Sequence, residues 1–228
     1  MSAGLQVWND ALTFQIDGST PMVTLARKGT AASQGTDFPT NGANAFCLVR
    51  IPISDGEILA VDCGLPFHMT GIRNGAAEFA ILGATSTSMD YWVFAPHTDS
   101  GIRFGMKVFS ETGALIYDTG RPPMRVAGTV EGVGTFGGFP TGRRLALVVW
   151  AQHTYIQRRV LVNPIPNTGF TSVSGNFARC AQDGTVYISP DTSYAIYQAA
   201  LSGSTISFAG DWDNGLQNKY TVADVTGM

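Results

Sequence analysis

The sequence predicts an all-β protein built of β-sandwich modules, and three features carry that prediction. Short runs of apolar and β-branched residues recur along the whole length, each bounded by Gly, Pro, Asn, Asp or Ser. Helical periodicity is nearly absent. The stretches that come closest, residues 192–201 and "GIRNGAAEFAILGA", are interrupted too closely by β-formers and turn residues. Charged residues make up only 14% of the chain and glycines number 27 in 228, which suits large buried faces joined by tight turns.

Taken in order, "GLQVW" and "TFQID" open the chain as two strands, followed by "MVTLA". "AFCLVRI", "EILAVD", "EFAIL" and "DYWVFA" are apolar runs of strand length with turn residues on both sides. "FGMKVF" and "ALIYD" flank "SETG", which reads as a hairpin loop with Gly113 at positive φ. Alternation puts Met106 and Val108 on one face and Lys107 with Phe109 on the other. Pro122-Pro123 cannot donate ladder hydrogen bonds and marks a strand edge or a crossing between sheets. "MRVAGTV", "RLALVVW", "TYIQRRVLV", "TVYIS", "SYAIYQ", "TISFAG" and "KYTVAD" complete the strands. The Gly-rich stretch 128–144 reads as a connector and 163–176 as a second break. A cut follows: residues 1–128 as an N-terminal sandwich and residues 129–228 as a separate, distal β domain.

One strand–turn–strand unit is written twice. At a constant offset of 101, Gly4, Val7 and Asp17 fall on Gly105, Val108 and Asp118. Leu5 pairs with Met106, Gln6 with Lys107 and Trp8 with Phe109; after one inserted residue, Pro21-Met22 falls on Pro123-Met124. Residues 4–17 and 105–118 are therefore expected to form equivalent hairpins with Val7 and Val108 buried, each covering the other's apolar face as related halves of one sandwich.

Several function classes are disfavoured. The net charge is −3 and no basic stripe offers a track for nucleic-acid phosphates. The opening "MSAGLQVWND" lacks the basic start and apolar run of a signal peptide, and no run is apolar enough to span a membrane as a helix. Cys47, Cys63 and Cys180 show no zinc-ligand spacing and read as small buried apolar residues; Cys47 and Cys63 lie on neighbouring strands where a bond is conceivable. His68, His97 and His153 lie far apart, no G-x-S-x-G elbow is present, and "GVGTFGG" lacks the helix that a phosphate cradle needs. No metal or organic cofactor is expected. "DWDNG" is the most suggestive cluster. Asp211 and Asp213 alternate like the start of a calcium loop but lack the further oxygen ligands and the distal Glu, so a polar hairpin tip is expected. Trp212, flanked by those acids, could stack on a sugar ring, with Tyr155 and Tyr194 as further exposed-aromatic candidates.

The doubled unit resembles a family of small tail proteins of tailed bacteriophages, in which a "GLQV(W/F)N" opening and a later "YGLQVFN…G…(V/I)(F/Y)D" segment recur in this order. The matching positions are Gly4, Leu5, Gln6, Val7, Trp8, Asn9 and Asp17, then Tyr91 to Phe94, Gly105, Val108, Phe109, Gly113, Tyr117, Asp118, Pro123 and Arg125. The likeness covers roughly residues 1–128, and the first copy departs from it in having "NDAL" at the turn. It implies a non-enzymatic structural component of the tail tip, baseplate or fibre, assembled in the host bacterial cytoplasm. Other tail proteins and further copies of the chain, preferably as a trimer, would be its partners. The alternative is a receptor-binding, lectin-like tail protein that contacts host surface glycan or pilus through its C-terminal half.

Overall fold

A computed structural model describes residues 22–34, 46–83, 85–96, 99–161, 168–200 and 212–228. The expected strands in "GLQVW", "TFQID" and "TISFAG", and with them the hairpin 4–17 and Val7, lie outside the described residues. Within those residues the protein is all-β and no helix occurs. The strands are β1 Val23–Ala32, β2 Phe46–Pro52, β3 Ile58–Asp62, β4 Phe67–Arg73, β5 Ala76–Leu82 and β6 Ser88–Pro96. They continue with β7 Lys107–Phe109, β8 Leu115–Asp118, β9 Arg125–Glu131, β10 Gly134–Phe136, β11 Leu145–Ala151 and β12 Thr154–Leu161. The last are β13 Thr168–Gly175, β14 Ala178–Cys180, β15 Val186–Ile188, β16 Thr192–Ala200, β17 Trp212–Asp213 and β18 Lys219–Asp224.

Two six-stranded sheets form a sandwich, ordered β1-β6-β3-β11-β18-β9 and β10-β15-β14-β4-β5-β2. The main core lies between them, with Val61, Val93, Leu147 and Val222 of the first sheet against Val49, Phe67, Phe79 and Ile81 of the second. Phe67 and Phe79 meet edge to face, centroids 5.8 Å apart. Two further apolar layers cover the outer faces. Trp92, Phe94, Ala146 and Val148 pack with Val23, Leu25 and Met124 on the first sheet. Phe46, Leu48, Ala80 and Phe177 pack together on the second. β5 (AAEFAIL) and the first four residues of β11 (LALV) are thus buried on both faces, which is why their sequences run apolar instead of alternating. Cys47 and Cys63 belong to the main core and are free thiols.

The division expected at residue 128 is not where the sheets divide. It falls inside β9, and both six-stranded sheets draw strands from either side of it. The Gly-rich stretch expected as a connector contains part of β9 and all of β10, and the expected break at 163–176 contains β13. In each case glycine marks strand ends and twists where a loop was read. β11 lies inside the first sheet, whose edges β1 and β9 carry Arg27, Lys28 and Arg125.

β7 and β8 form the expected hairpin, with Gly113 at φ +81°. They make a two-stranded sheet of their own, not half of the sandwich. A bulge after Val108 breaks the alternation: Val108 is only half-buried, and Ile116 of β8 is the fully buried side chain. The repeated Gly and Asp have visible work here. Gly105 sits at φ +142°, and a Cβ there would overlap the Thr119 hydroxyl that accepts from Met106 N. Asp118 accepts from the Ser100 amide at 3.0 Å, the Ser100 hydroxyl at 2.5 Å and Gly120 N at 2.7 Å. Pro122-Pro123 lies, as expected, on a strand edge: Pro123 bridges Thr24 of β1, and Leu25 N donates to Pro122 O at 2.9 Å.

Candidate functional site

A four-stranded sheet, β16-β13-β12-β17, stands beside the sandwich. The chain passes between the two at four places: Gln152-His153 after β11, Asn176-Phe177 after β13, Ser189 to Asp191 before β16, and Asn214 to Asn218 after β17. At each crossing the backbone leaves one ladder before it joins the next, so amides and carbonyls need other partners. Polar side chains supply them. Gln152 accepts from Met69 N at 2.7 Å and donates to Asn176 O and to the Tyr220 hydroxyl, at 3.0 and 2.6 Å. Asn218 donates to Asn176 Oδ1 at 2.8 Å, and Asn176 in turn donates to Ser189 O at 2.9 Å. Asn214 accepts from Thr154 N and donates to Gln152 O. Gln152, Asn176 and Asn218 are all buried, so each lost partner would leave a costly orphan.

Two histidines complete the junction. His68 of β4 is fully buried, with Nδ1 at 3.0 Å from Asn176 O. A carbonyl only accepts, so Nδ1 carries the proton and Nε2 faces the Thr154 hydroxyl at 3.4 Å. Burial pushes its pKa down to about 4, and the ring is neutral. Gly175 passes so close that a Cβ would fall 2.5 Å from His68 Cε1. His153 lies nearer solvent, with Nδ1 at 2.9 Å from Asp191 and Nε2 at 2.9 Å from Asp213. The Asp191 bond raises its pKa, against the effect of burial, and Asp213 adds to the rise. Only the imidazolium donates from both nitrogens, so protonation ties two of the crossings to the end of β17.

The candidates named from sequence converge in part. Tyr155 of β12 pairs with Asp213 of β17 on one side and with Ser174 of β13 on the other. Ser174 pairs with Ser193, and Tyr194 occupies the bulge that follows in β16. Asp213, Tyr155, Ser174 and Ser193 therefore lie along one row of the four-stranded sheet, and Tyr194 follows Ser193 in the bulge. Trp212 is one step further along β17, opposite Ile156, and Asp211 lies outside the described residues. The Asp213 carboxylate is engaged by Gly215 N at 2.7 Å as well as by His153, a turn-capping arrangement. Asp191, Gln152, Asn176 and Asn218 were not singled out from sequence, and His153 was read there only as one of three histidines far apart, because nothing in their spacing marks four separate crossings as one place.

A cleft of about 420 Å³ lies elsewhere, lined by Asp62, Arg143, Arg144, Cys180 and Gln182 among others. Its charges are already paired. Arg144 bonds Asp62 at 3.2 Å, also binds Asp90, and lies over the Trp92 ring at 4.8 Å. Burial raises the pKa of Asp62 and pushes that of the Cys180 thiol up to about 12. Among the described residues no group of three or more His, Cys, Asp or Glu is placed to hold a metal ion. Compared with protein-family models, curated proteins and solved structures, the chain matches none.

Proposed function

We propose that the chain is a non-enzymatic structural component of a bacteriophage tail, at the tip, baseplate or fibre, acting through protein–protein assembly. The resemblance carried by the repeated unit motivates the reading. One structural observation supports it most. Trp150 of β11 is 55% exposed and Ile72 of β4 is 61% exposed. They line an apolar cleft of about 130 Å³ whose walls include Ile53, Ile58, Met69 and Phe79. The indole is held by Nε1 donating to Thr221 Oγ1 at 2.8 Å. An aromatic side chain fixed on a rigid strand beside an apolar cleft is the makeup of an interface anchor, since little side-chain entropy is lost on docking. The occupant is another subunit of the tail or a further copy of this chain, with a trimer the preferred assembly.

Immunogold labelling of purified virions and light scattering on the isolated protein test this. The double variant Ile72→Ser with Trp150→Ser should keep its fold, lose self-association or virion incorporation, and weaken docking at least ~30-fold. Absence of the protein from virions, or incorporation with this cleft open to solvent, would overturn the reading. A second reading, a receptor-binding tail protein, is favoured by the pairing of Tyr155 with Asp213 in the four-stranded sheet, with Tyr194 in the nearby bulge of β16. Glycan-array binding that is lost in Tyr155→Ala while incorporation persists would decide for it.

A further inference from the structure

The turn between β4 and β5 consists of Asn74 and Gly75, with Arg73 opposite Ala76. Both residues have positive φ, +50° and +72°, as a tight type I′ hairpin turn requires. That geometry favours Asn followed by Gly, because Asn tolerates the left-handed region and Gly enters it freely. The same pair is prone to lose ammonia, because a glycine nitrogen carries no side chain to keep it from the Asn carboxamide. The sequence has the pair again as Asn214-Gly215, in the crossing after β17; a third, Asn41-Gly42, lies outside the described residues. The two described steps stand in opposite surroundings. Asn74 and Gly75 are exposed, and among the described residues neither the Asn74 carboxamide nor Gly75 N has a hydrogen-bond partner. The Gly75 carbonyl alone is tied, accepting from Ile53 N at 2.8 Å. At the other step the groups that would react are held. Asn214 Oδ1 accepts from Thr154 N and Leu216 N at 3.3 and 3.1 Å, its Nδ2 donates to Gln152 O at 2.8 Å, and Gly215 N donates to the Asp213 carboxylate at 2.7 Å.

We propose that Asn74 is a site of spontaneous modification, deamidated through a cyclic imide formed with Gly75, and that the fold protects Asn214 from the same reaction. Gly75 N gives its proton to hydroxide and bonds to Asn74 Cγ. The Cγ–Nδ2 bond breaks, and the nitrogen leaves as ammonia with a proton from water, which restores the hydroxide. Water then opens the imide. Addition at Cγ breaks its bond to Gly75 N and gives aspartate; addition at the main-chain carbonyl of residue 74 breaks that carbon's bond to Gly75 N and gives isoaspartate. One water is consumed in the whole reaction and one ammonia is released, and either product places a new carboxylate beside Arg73. The rate depends on how readily the carboxamide and the following nitrogen turn toward each other. At the β4–β5 tip that motion costs at most the bond from Ile53. At Asn214 it disturbs every bond just described, and the negative charge of Asp213 opposes removal of the Gly215 proton. Opening is nearly free at exposed tips and costly at a bonded junction, and reactions of the open form follow its population. Nothing in this reaction draws on the tail reading, so the two stand or fall separately.

Peptide mapping of the full-length protein, aged in mildly alkaline buffer with and without urea, tests it. Tryptic peptides are scored by mass for conversion and by electron-transfer fragmentation for isoaspartate. In the folded protein Asn74 should convert at least about tenfold faster than Asn214, with isoaspartate among its products. In urea, where neither step is held, the two rates should come together. Equal rates in the folded protein would overturn the proposal, as would an Asn74 that stays intact while the urea-unfolded chain converts. A gap that persists in urea would overturn it too, because the difference would then belong to neighbouring residues and not to the fold. The variant Asp213→Ala removes the carboxylate from Gly215 N and should raise Asn214 conversion several-fold while leaving Asn74 unchanged. An unchanged Asn214 rate in that variant would overturn the protection assigned to it.

Discussion

At the residue scale, the junction between the sandwich and the four-stranded sheet depends on groups whose burial magnifies small changes. Gly175→Ala would drive a methyl group into the buried His68 ring. The ring is held by Asn176 and cannot retreat into solvent, so a loss of about 3 kcal/mol is expected, read by urea denaturation. Tyr220→Phe removes the hydroxyl that accepts from the buried Gln152 amide and should cost about 1–2 kcal/mol. His153 gives a pH dependence of known sign. Its pKa is raised in the folded protein. The stabilisation is therefore fully present below the unfolded value near 6.5 and is lost as pH rises through the folded value. Both carboxylates are substantially exposed, so the loss should be only about 0.5–1 kcal/mol. Melting curves from pH 5 to pH 9 should show it in the wild type and not in His153→Gln.

At the element scale, the β7–β8 hairpin shows how much of the repeated unit was legible. Gly113, Gly105 and Asp118 stand out in sequence because each does a backbone job that few residues can do. The role of Asp118 became clear only when folding brought Ser100 to it. These bonds, with the Gly120 amide, hold its pKa down to about 2 against the effect of burial. A depressed carboxylate stabilises above its unfolded pKa and loses that contribution as pH falls through the folded value, here between about 4 and 2. Asp118→Ala should destabilise by about 2 kcal/mol at neutral pH and flatten this acid limb, measured by circular dichroism. Val108, expected buried from simple alternation, is half-buried because the bulge in β8 resets which side chains face inward. Bulges leave no reliable mark in a single sequence.

At the scale of the whole molecule, stability rests on three apolar layers and not on one. Phe79, fully buried between the sheets and in contact with Phe67, should cost about 3–5 kcal/mol when replaced by Ala. An exposed edge residue such as Val126 should cost little. The same layering explains why a division at residue 128 looked reasonable. Glycine-rich sequence there resembles a linker, but β9 continues through it to close the edge of a sheet begun a hundred residues earlier. Strand neighbours in both sheets come from distant parts of the chain, as in β1-β6-β3-β11. Local sequence carries no record of such pairing.

By itself, the sequence determined the all-β class, the positions of most strands, the hairpin at 105–118 and the edge character of Pro122-Pro123. Each follows from backbone preferences and short-range period, which are properties of a few adjacent residues. Only the tertiary structure decided the order of strands in the sheets, the burial of β5 and the start of β11 on both faces, and the meeting of β1 with the segment that leads into β9. It also decided that Gln152, Asn176, Asp191 and Asn218, each inconspicuous where it stands in the chain, come together at one polar junction. Those outcomes depend on which surfaces find each other after collapse. The free energy that selects them comes from long-range contacts that no local pattern encodes.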